Sequence, residues 1–240
     1  MRDKRIVVVG GGSGIGIGEG IVRASQKAGA EIMLVGRSKE KLDKVIASLP
    51  RGAGARAIAA DVTNETDVVQ LFEEVGQFDH LVSTVADLAY QPVREFDLAA
   101  ARRSVDSKLM SSLLLAKHGC TRARPGGPLT FLSGIAAYRP MPRGAIVAAI
   151  NGALASLAYA LALELAPLRV NVVSPGWVDT PIWDTVAGEK KYEMQAQMAN
   201  RLPVGRIGRP DDIAQAVLSI MANGFITGTV VHVDGGQRLV

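Results

Sequence analysis

The chain has 240 residues, 48% of them hydrophobic and 21% charged, which suits one α/β domain with a sizeable core and leaves little room for a disordered tail. Its net charge of +4 is dispersed. The nearest basic cluster, Thr121 to Arg124, runs into Pro125-Gly-Gly-Pro128 without interleaved aromatics and argues against a nucleic-acid footprint.

In chain order, short apolar runs alternate with segments of helical length. Arg5–Val9 predicts a strand, 15–28 a helix, 31–35 a strand and 39–48 a helix. A strand at 55–60, a helix at Glu65–Val75 and a strand at His80–Ser83 follow. A long helix is expected near 99–118, a strand at 129–133, and a helix from 144 to about 166. Next come a strand at 169–173, a loop and helix region over 181–199, a helix at 211–221 and a last strand at 230–233. Strands separated by crossover helices cannot pair as hairpins, so the sheet should be parallel with helices on both faces. No linker or repeat interrupts the pattern. Residues 1–240 are expected to form a single-domain Rossmann-type doubly wound fold.

The run Val7-Val-Val-Gly-Gly-Gly-Ser-Gly-Ile-Gly16 passes from an apolar strand through glycines into a helix. Gly10 permits the tight turn, Gly14 removes bulk where a pyrophosphate would approach, and Gly16 lets helix and strand pack closely. With Gly12, Ser13 and Ile15 these residues present free amides that attract an anion, so a dinucleotide is expected here. The second strand ends in Leu34-Val-Gly-Arg-Ser38, with Arg37 where a 2′-phosphate would lie and no carboxylate beside it. A guanidinium there favours NADP(H) over NAD.

The single Cys120 excludes an internal disulfide and fits a reducing compartment. His80, His118 and His232 are scattered without ligand spacing, so no metal is expected. Only four apolar residues, Ile6 to Val9, precede the first glycine, too few for a signal core or a membrane span. A cytoplasmic location is the expectation, with no membrane partner.

Several motifs together resemble the short-chain dehydrogenase/reductase family over essentially the whole chain. They are Val9-Gly-Gly-Gly-Ser-Gly-Ile-Gly16, Ala60-Asp61-Val62, Leu161-Ala-Leu-Glu-Leu165, Asn171-Val-Val-Ser-Pro-Gly176 and Val233-Asp-Gly-Gly236. The resemblance implies that Asp61 and Val62 border the adenine. It also implies that Pro175, Gly176, Val178 and Thr180 wrap the nicotinamide, and that the protein is a homo-oligomer, a dimer or tetramer built on the two long helices.

The same resemblance locates the family's catalytic positions, and each is changed. The tyrosine position is Val147, the lysine position Asn151, the serine position Gly134 and the supporting asparagine Asp106. No Tyr-x-x-x-Lys occurs anywhere, and Tyr159 lies twelve residues beyond Val147, about 18 Å along a helix. Asn151 could keep a ribose hydrogen bond but has no charge to tune an acid. A positioned acid contributes roughly 10²–10⁴-fold to carbonyl reduction, so the proton source is an open question. Asp87, Tyr90 and Tyr138 follow strands and are the candidates, each with a plainer explanation as a loop cap or packing residue.

An alternative substrate is an iminium ion, which needs no acid at transfer and which Asp87 or Asp106 would stabilise. Other readings are an inactive NADP(H)-binding sensor or partner subunit, and a non-redox enzyme on the same scaffold. Trp177 and Trp183 flank the expected nicotinamide loop, and Met194 and Met198 would share a helix face as an apolar lid over a small-molecule substrate.

Overall fold

The computed structural model describes residues 1–12, 16–50, 54–181, 183–184 and 187–240. Ser13, Gly14 and Ile15 of the expected phosphate turn lie outside the described residues.

The sheet is parallel with seven strands in the order β3-β2-β1-β4-β5-β6-β7. These are β1 Arg5–Val9, β2 Glu31–Gly36, β3 Ala55–Ala59, β4 His80–Ser83, β5 Pro128–Leu132, β6 Arg169–Pro175 and β7 Thr229–Val233. The central strands are buried on both faces, as parallel strands flanked by helices must be. Alternation along β1 divides the core in two. Val7 and Val9 pack toward α3 (Glu65–Val75), α5 (Ser111–Gly119) and α6 (Ala145–Glu164). Ile6 and Val8 pack toward α1 (Ile17–Lys27), α2 (Lys39–Ala47) and the helix Pro210–Ala222, here α8. Among the described residues the other α-helices are α4, Leu98–Val105, and α7, Lys191–Arg201.

Helix starts follow local capping chemistry. Asn64 accepts hydrogen bonds from the amides of Thr66 and Asp67 at the start of α3, and Ser38 accepts from that of Lys41 at the start of α2. The first helix departs from the expected 15–28: it begins at Ile17 with Gly16 as an N-cap that makes no side-chain bond. Gly18, within the helix, is one glycine that admits it to the turn. A Cβ there would stand 2.6 Å from the Gly10 carbonyl oxygen and 2.8 Å from the Gly11 Cα. Gly10 itself has φ +97° and a Cβ would meet Thr84 Oγ1 at 2.8 Å, so strand, turn and β4 meet at a point where side chains do not fit.

The helix expected at 99–118 is interrupted. Between α4 and α5 lies a π-turn, Asp106–Met110. Serines crowd this stretch and bond back to the carbonyls of the preceding turn: Ser107 Oγ to Ser104 O at 3.1 Å, Ser111 Oγ to Ser107 O at 2.6 Å, Ser112 Oγ to Lys108 O at 2.7 Å. Such bonds compete with the i→i−4 ladder and accompany local rewinding.

Candidate active site

Strand order reverses between β1 and β4, where an open α/β sheet leaves a crevice beyond the strand ends. Two adjoining cavities occupy it, one of about 980 Å³ and one of about 460 Å³, sharing Gly10, Thr84 and Ala86 in their walls. Together they form a trough across the switch point.

The smaller cavity collects the end of β2 and the loop after β3. Gly12, Arg37, Lys41, Asp61 and Val62 line it. Among the described residues Arg37 and Lys41 have no carboxylate partner. Lys41 escaped the sequence reading because it lies a helical turn beyond the strand end. Asp61 Oδ1 accepts from both the amide and the hydroxyl of Thr63, at 3.0 and 2.7 Å, which holds the loop in a tight turn. Asp87 and Asp106 also line this smaller cavity, not the larger one.

The larger cavity runs from the turn to the β5, β6 and α7 side. Gly16, Asn151, Pro175, Gly176, Val178 and Thr180 are all in its wall. Trp177 and Trp183 form an aromatic flank with ring centroids 4.1 Å apart, and the Trp183 indole donates to Val178 O at 2.9 Å. Met194 and Met198 of α7 face the same space. Gln195 ties α7 to the loop by donating to Asp179 Oδ1 at 3.0 Å.

Of the three proton-donor candidates only Tyr90 lines this cavity, and burial raises its pKa. Tyr138 is not part of either wall: it is 41% exposed and packs edge-on against His232 at 4.6 Å. Asp87 is turned into the smaller cavity. Val147 is buried but not part of the larger wall.

One wall residue had no place in the sequence reading. Lys108, on the π-turn, is 5% exposed, and burial lowers its pKa to about 8. Its Nζ donates to Ser133 O at 3.0 Å; Ser133 Oγ in turn donates to the Asn151 carbonyl at 2.8 Å. The Asn151 amide sits beside Gly134, where a Cβ would stand 3.1 Å from Nδ2. Asn151 Oδ1 is buried with no hydrogen-bond partner among the described residues. A lysine amid serines and leucines on the long helix expected at 99–118 carries no periodic signal, and it lies on the π-turn that interrupts that helix.

Comparison with known proteins now decides the family. The family model described as enoyl-(acyl carrier protein) reductase matches residues 12–238. The chain belongs to the short-chain dehydrogenase/reductase family. The cis-4-hydroxycyclohexanecarboxylate dehydrogenase of Sinomonas cyclohexanicum is 33% identical over 99% of this chain and 98% of its own length. The MalC reductase/Diels-Alderase of Malbranchea aurantiaca has a similar structure, with TM-score 0.92 and 28% identity over 100% of this chain and 98% of that one. A small-chain dehydrogenase solved in complex with NADPH gives TM-score 0.84 and 30% identity over 99% of this chain and 100% of that one. As a short-chain dehydrogenase/reductase the protein is an oxidoreductase of a family that uses nicotinamide cofactors, built on a single-domain Rossmann-like sheet.

The walls fit such a cofactor. Gly16 as N-cap offers no side-chain acceptor to the first amides of α1, which face the larger cavity, and Asn151 Oδ1 in that cavity's wall is buried with no partner among the described residues.

Proposed function

We propose that the chain is an NADP(H)-dependent reductase acting on the C=O bond of an apolar, ring-bearing small molecule, with its proton source outside the usual tyrosine–lysine pair. The observation that carries this reading is the trough itself. It leads from two cations without a carboxylate partner among the described residues, past the glycines at the end of β1, to a chamber with an indole flank and a buried ammonium.

In this reading Arg37 and Lys41 take the 2′-phosphate, Asp61 and Val62 border the adenine, and Gly10, Gly12, Gly16 and the α1 amides hold the pyrophosphate. The NADPH-bound structural relative supports the choice of phosphate-bearing cofactor. Asn151 takes the nicotinamide ribose, its free Oδ1 accepting a hydroxyl, while Val178 and Thr180 meet the carboxamide. The bound cofactor supplies a hydride. The protein contributes orientation, exclusion of water by Trp177, Trp183 and the α7 methionines, and a proton for the oxygen.

A carbonyl substrate is favoured over an iminium ion by the charges of the chamber. Its wall holds Lys108, Arg139 and Arg201, and among the described residues its one side-chain carboxylate, Glu19, is paired with Arg23 at 2.6 Å. Asp87 and Asp106, the groups that would have stabilised a cation, line the other cavity. A cationic substrate would meet repulsion where a neutral or carboxylate-bearing one would not.

The protein also presents an apolar face consistent with self-association. Over its most apolar stretch α6 has mean hydropathy 1.9 with 33% of that window buried, and Tyr159 and Leu163 are exposed on it. We take this face as the seam of a dimer or tetramer.

The direct test combines NADPH and NADH fluorescence titration with absorbance assays against 4-oxocyclohexanecarboxylate and a cyclic imine panel. Tight NADPH binding with ketone consumption is the expected result. Binding without consumption of any substrate would instead support a sensor or partner subunit, and imine-only consumption an iminium reductase.

A further inference from the structure

The family's proton relay has no counterpart at Val147 and Asn151, yet the larger cavity contains an ammonium from a different element. Lys108 reaches the wall from the π-turn, beside Ser133, Gly134 and Asn151. An ammonium carries three N–H donors. Among the described residues its Nζ has one acceptor, the Ser133 carbonyl, so two donors are unmatched inside a buried site. A charge held this way is expensive to bury, and an acceptor from outside the chain would relieve it.

We propose that Lys108 is the proton donor of the reaction, binding the substrate's carbonyl oxygen through the N–H bonds that the protein leaves unused. The proposal rests on the reading of the chain as a carbonyl reductase. As hydride from the reduced nicotinamide forms a C–H bond at the carbonyl carbon, the C=O π pair moves to oxygen. An Nζ–H bond breaks, its proton goes to that oxygen and its electron pair stays on nitrogen; a proton taken up from solvent restores the ammonium afterwards. The hydride donor is oxidised and the carbonyl reduced, and no further reactant is needed. In the oxidative direction the same nitrogen, neutral, takes the alcohol proton.

The surroundings favour this role. Burial brings Lys108 to a pKa of about 8, so it is protonated at neutral pH yet a far better acid than a surface lysine. Tyr90, whose phenol is also on this wall, is shifted upward by burial and stays protonated through the same range. Arg139 and Arg201 share this wall, and Glu19 is engaged by Arg23. The competing role for Lys108 is a staple that holds the end of β5 through Ser133 O.

The test compares wild type with Lys108→Met, Lys108→Arg and Tyr90→Phe. NADPH affinity should stay within about threefold in Lys108→Met, because the lysine acts on substrate. NADPH oxidation with 4-oxocyclohexanecarboxylate should fall by roughly 10²-fold or more in that variant, and in wild type should decline tenfold per pH unit above about 8. A second arm needs neither cofactor nor turnover. Cyclohexanecarboxylate, a ring with an oxyanion, should bind wild type more tightly at pH 6.5 than at pH 9.5, and Lys108→Met and Lys108→Arg should both lose that pH dependence.

Equal oxidation rates in wild type and Lys108→Met would overturn the proposal. So would an unchanged pH dependence of carboxylate binding in that variant, or a loss confined to Tyr90→Phe. If wild type neither binds NADPH nor consumes it, the reductase reading fails, and the carboxylate arm alone still decides whether Lys108 is a free donor.

Discussion

At the scale of single residues, Lys108 sets function against stability. Its folded pKa of about 8 lies below the 10.5 of an unperturbed lysine, so between those values the unfolded chain binds more protons. Stability therefore rises with pH from about 8 to 10.5, and below 8 the full penalty, on the order of 3 kcal/mol, is present. Lys108→Met should accordingly be more stable than wild type in urea at pH 7, with the gain shrinking toward pH 10.5. A variant that is less stable at pH 7 would show instead that the bond to Ser133 O outweighs desolvation. Arg37 gives a second expectation. Under the proposed NADP(H) reading, in which the guanidinium addresses only the extra phosphate, Arg37→Ala should weaken NADPH binding tenfold or more while changing NADH affinity little. Parallel titrations with the two cofactors measure it.

Elements carry the next level of constraint. The first turn and α1 touch across Gly18, where a Cβ would lie 2.6 Å from a backbone oxygen that cannot move without displacing β1. Gly18→Val should thus push the helix off the turn, costing about 1–3 kcal/mol by overpacking and tenfold or more in cofactor affinity. Chemical denaturation and fluorescence titration read the two effects separately. On α6 the apolar face that holds Tyr159 and Leu163 should be covered by another copy of the chain. Leu163→Glu, at a site 84% exposed in one copy, should leave the monomer's fold intact and shift sedimentation toward smaller species. The π-turn is the element with the largest consequence: Asp106 lines one cavity while Lys108, two residues on, lines the other.

For the whole molecule, the sheet buries a histidine that must stay neutral. His80 on β4 is 7% exposed, and burial lowers its pKa to about 4 despite the neighbouring Asp79 carboxylate. Its folded value is below the unfolded 6.5, so the unfolded state binds more protons in that interval. Stability should be lost as pH falls from 6.5 toward 4, by up to about 3 kcal/mol from this group, and His80→Gln should flatten the decline. Thermal unfolding followed at pH 7, 5.5 and 4.5 would check it.

Much of this molecule was legible from the chain because the signals are local. Apolar runs at Arg5–Val9, His80–Ser83 and 169–173, each followed or preceded by a helical stretch, are enough to demand a parallel doubly wound sheet, since crossover geometry permits little else. Gly10 and Arg37 do line the crevice at the strand ends, where the turn and the end of β2 were expected to bring them. Side-chain destination was not readable in this way. Asp87 and Tyr138 follow strands as an active-site residue would, yet one faces the smaller cavity and the other packs on His232. Lys108 carried no signal in the sequence, yet it is a buried cation of the larger cavity, set on the π-turn beside serines that bond back to the preceding turn. Periodicity sets which elements form and how they stack; which group faces the reacting atoms depends on rotations of a fraction of a turn, and those are decided only when helix, strand and loop pack together.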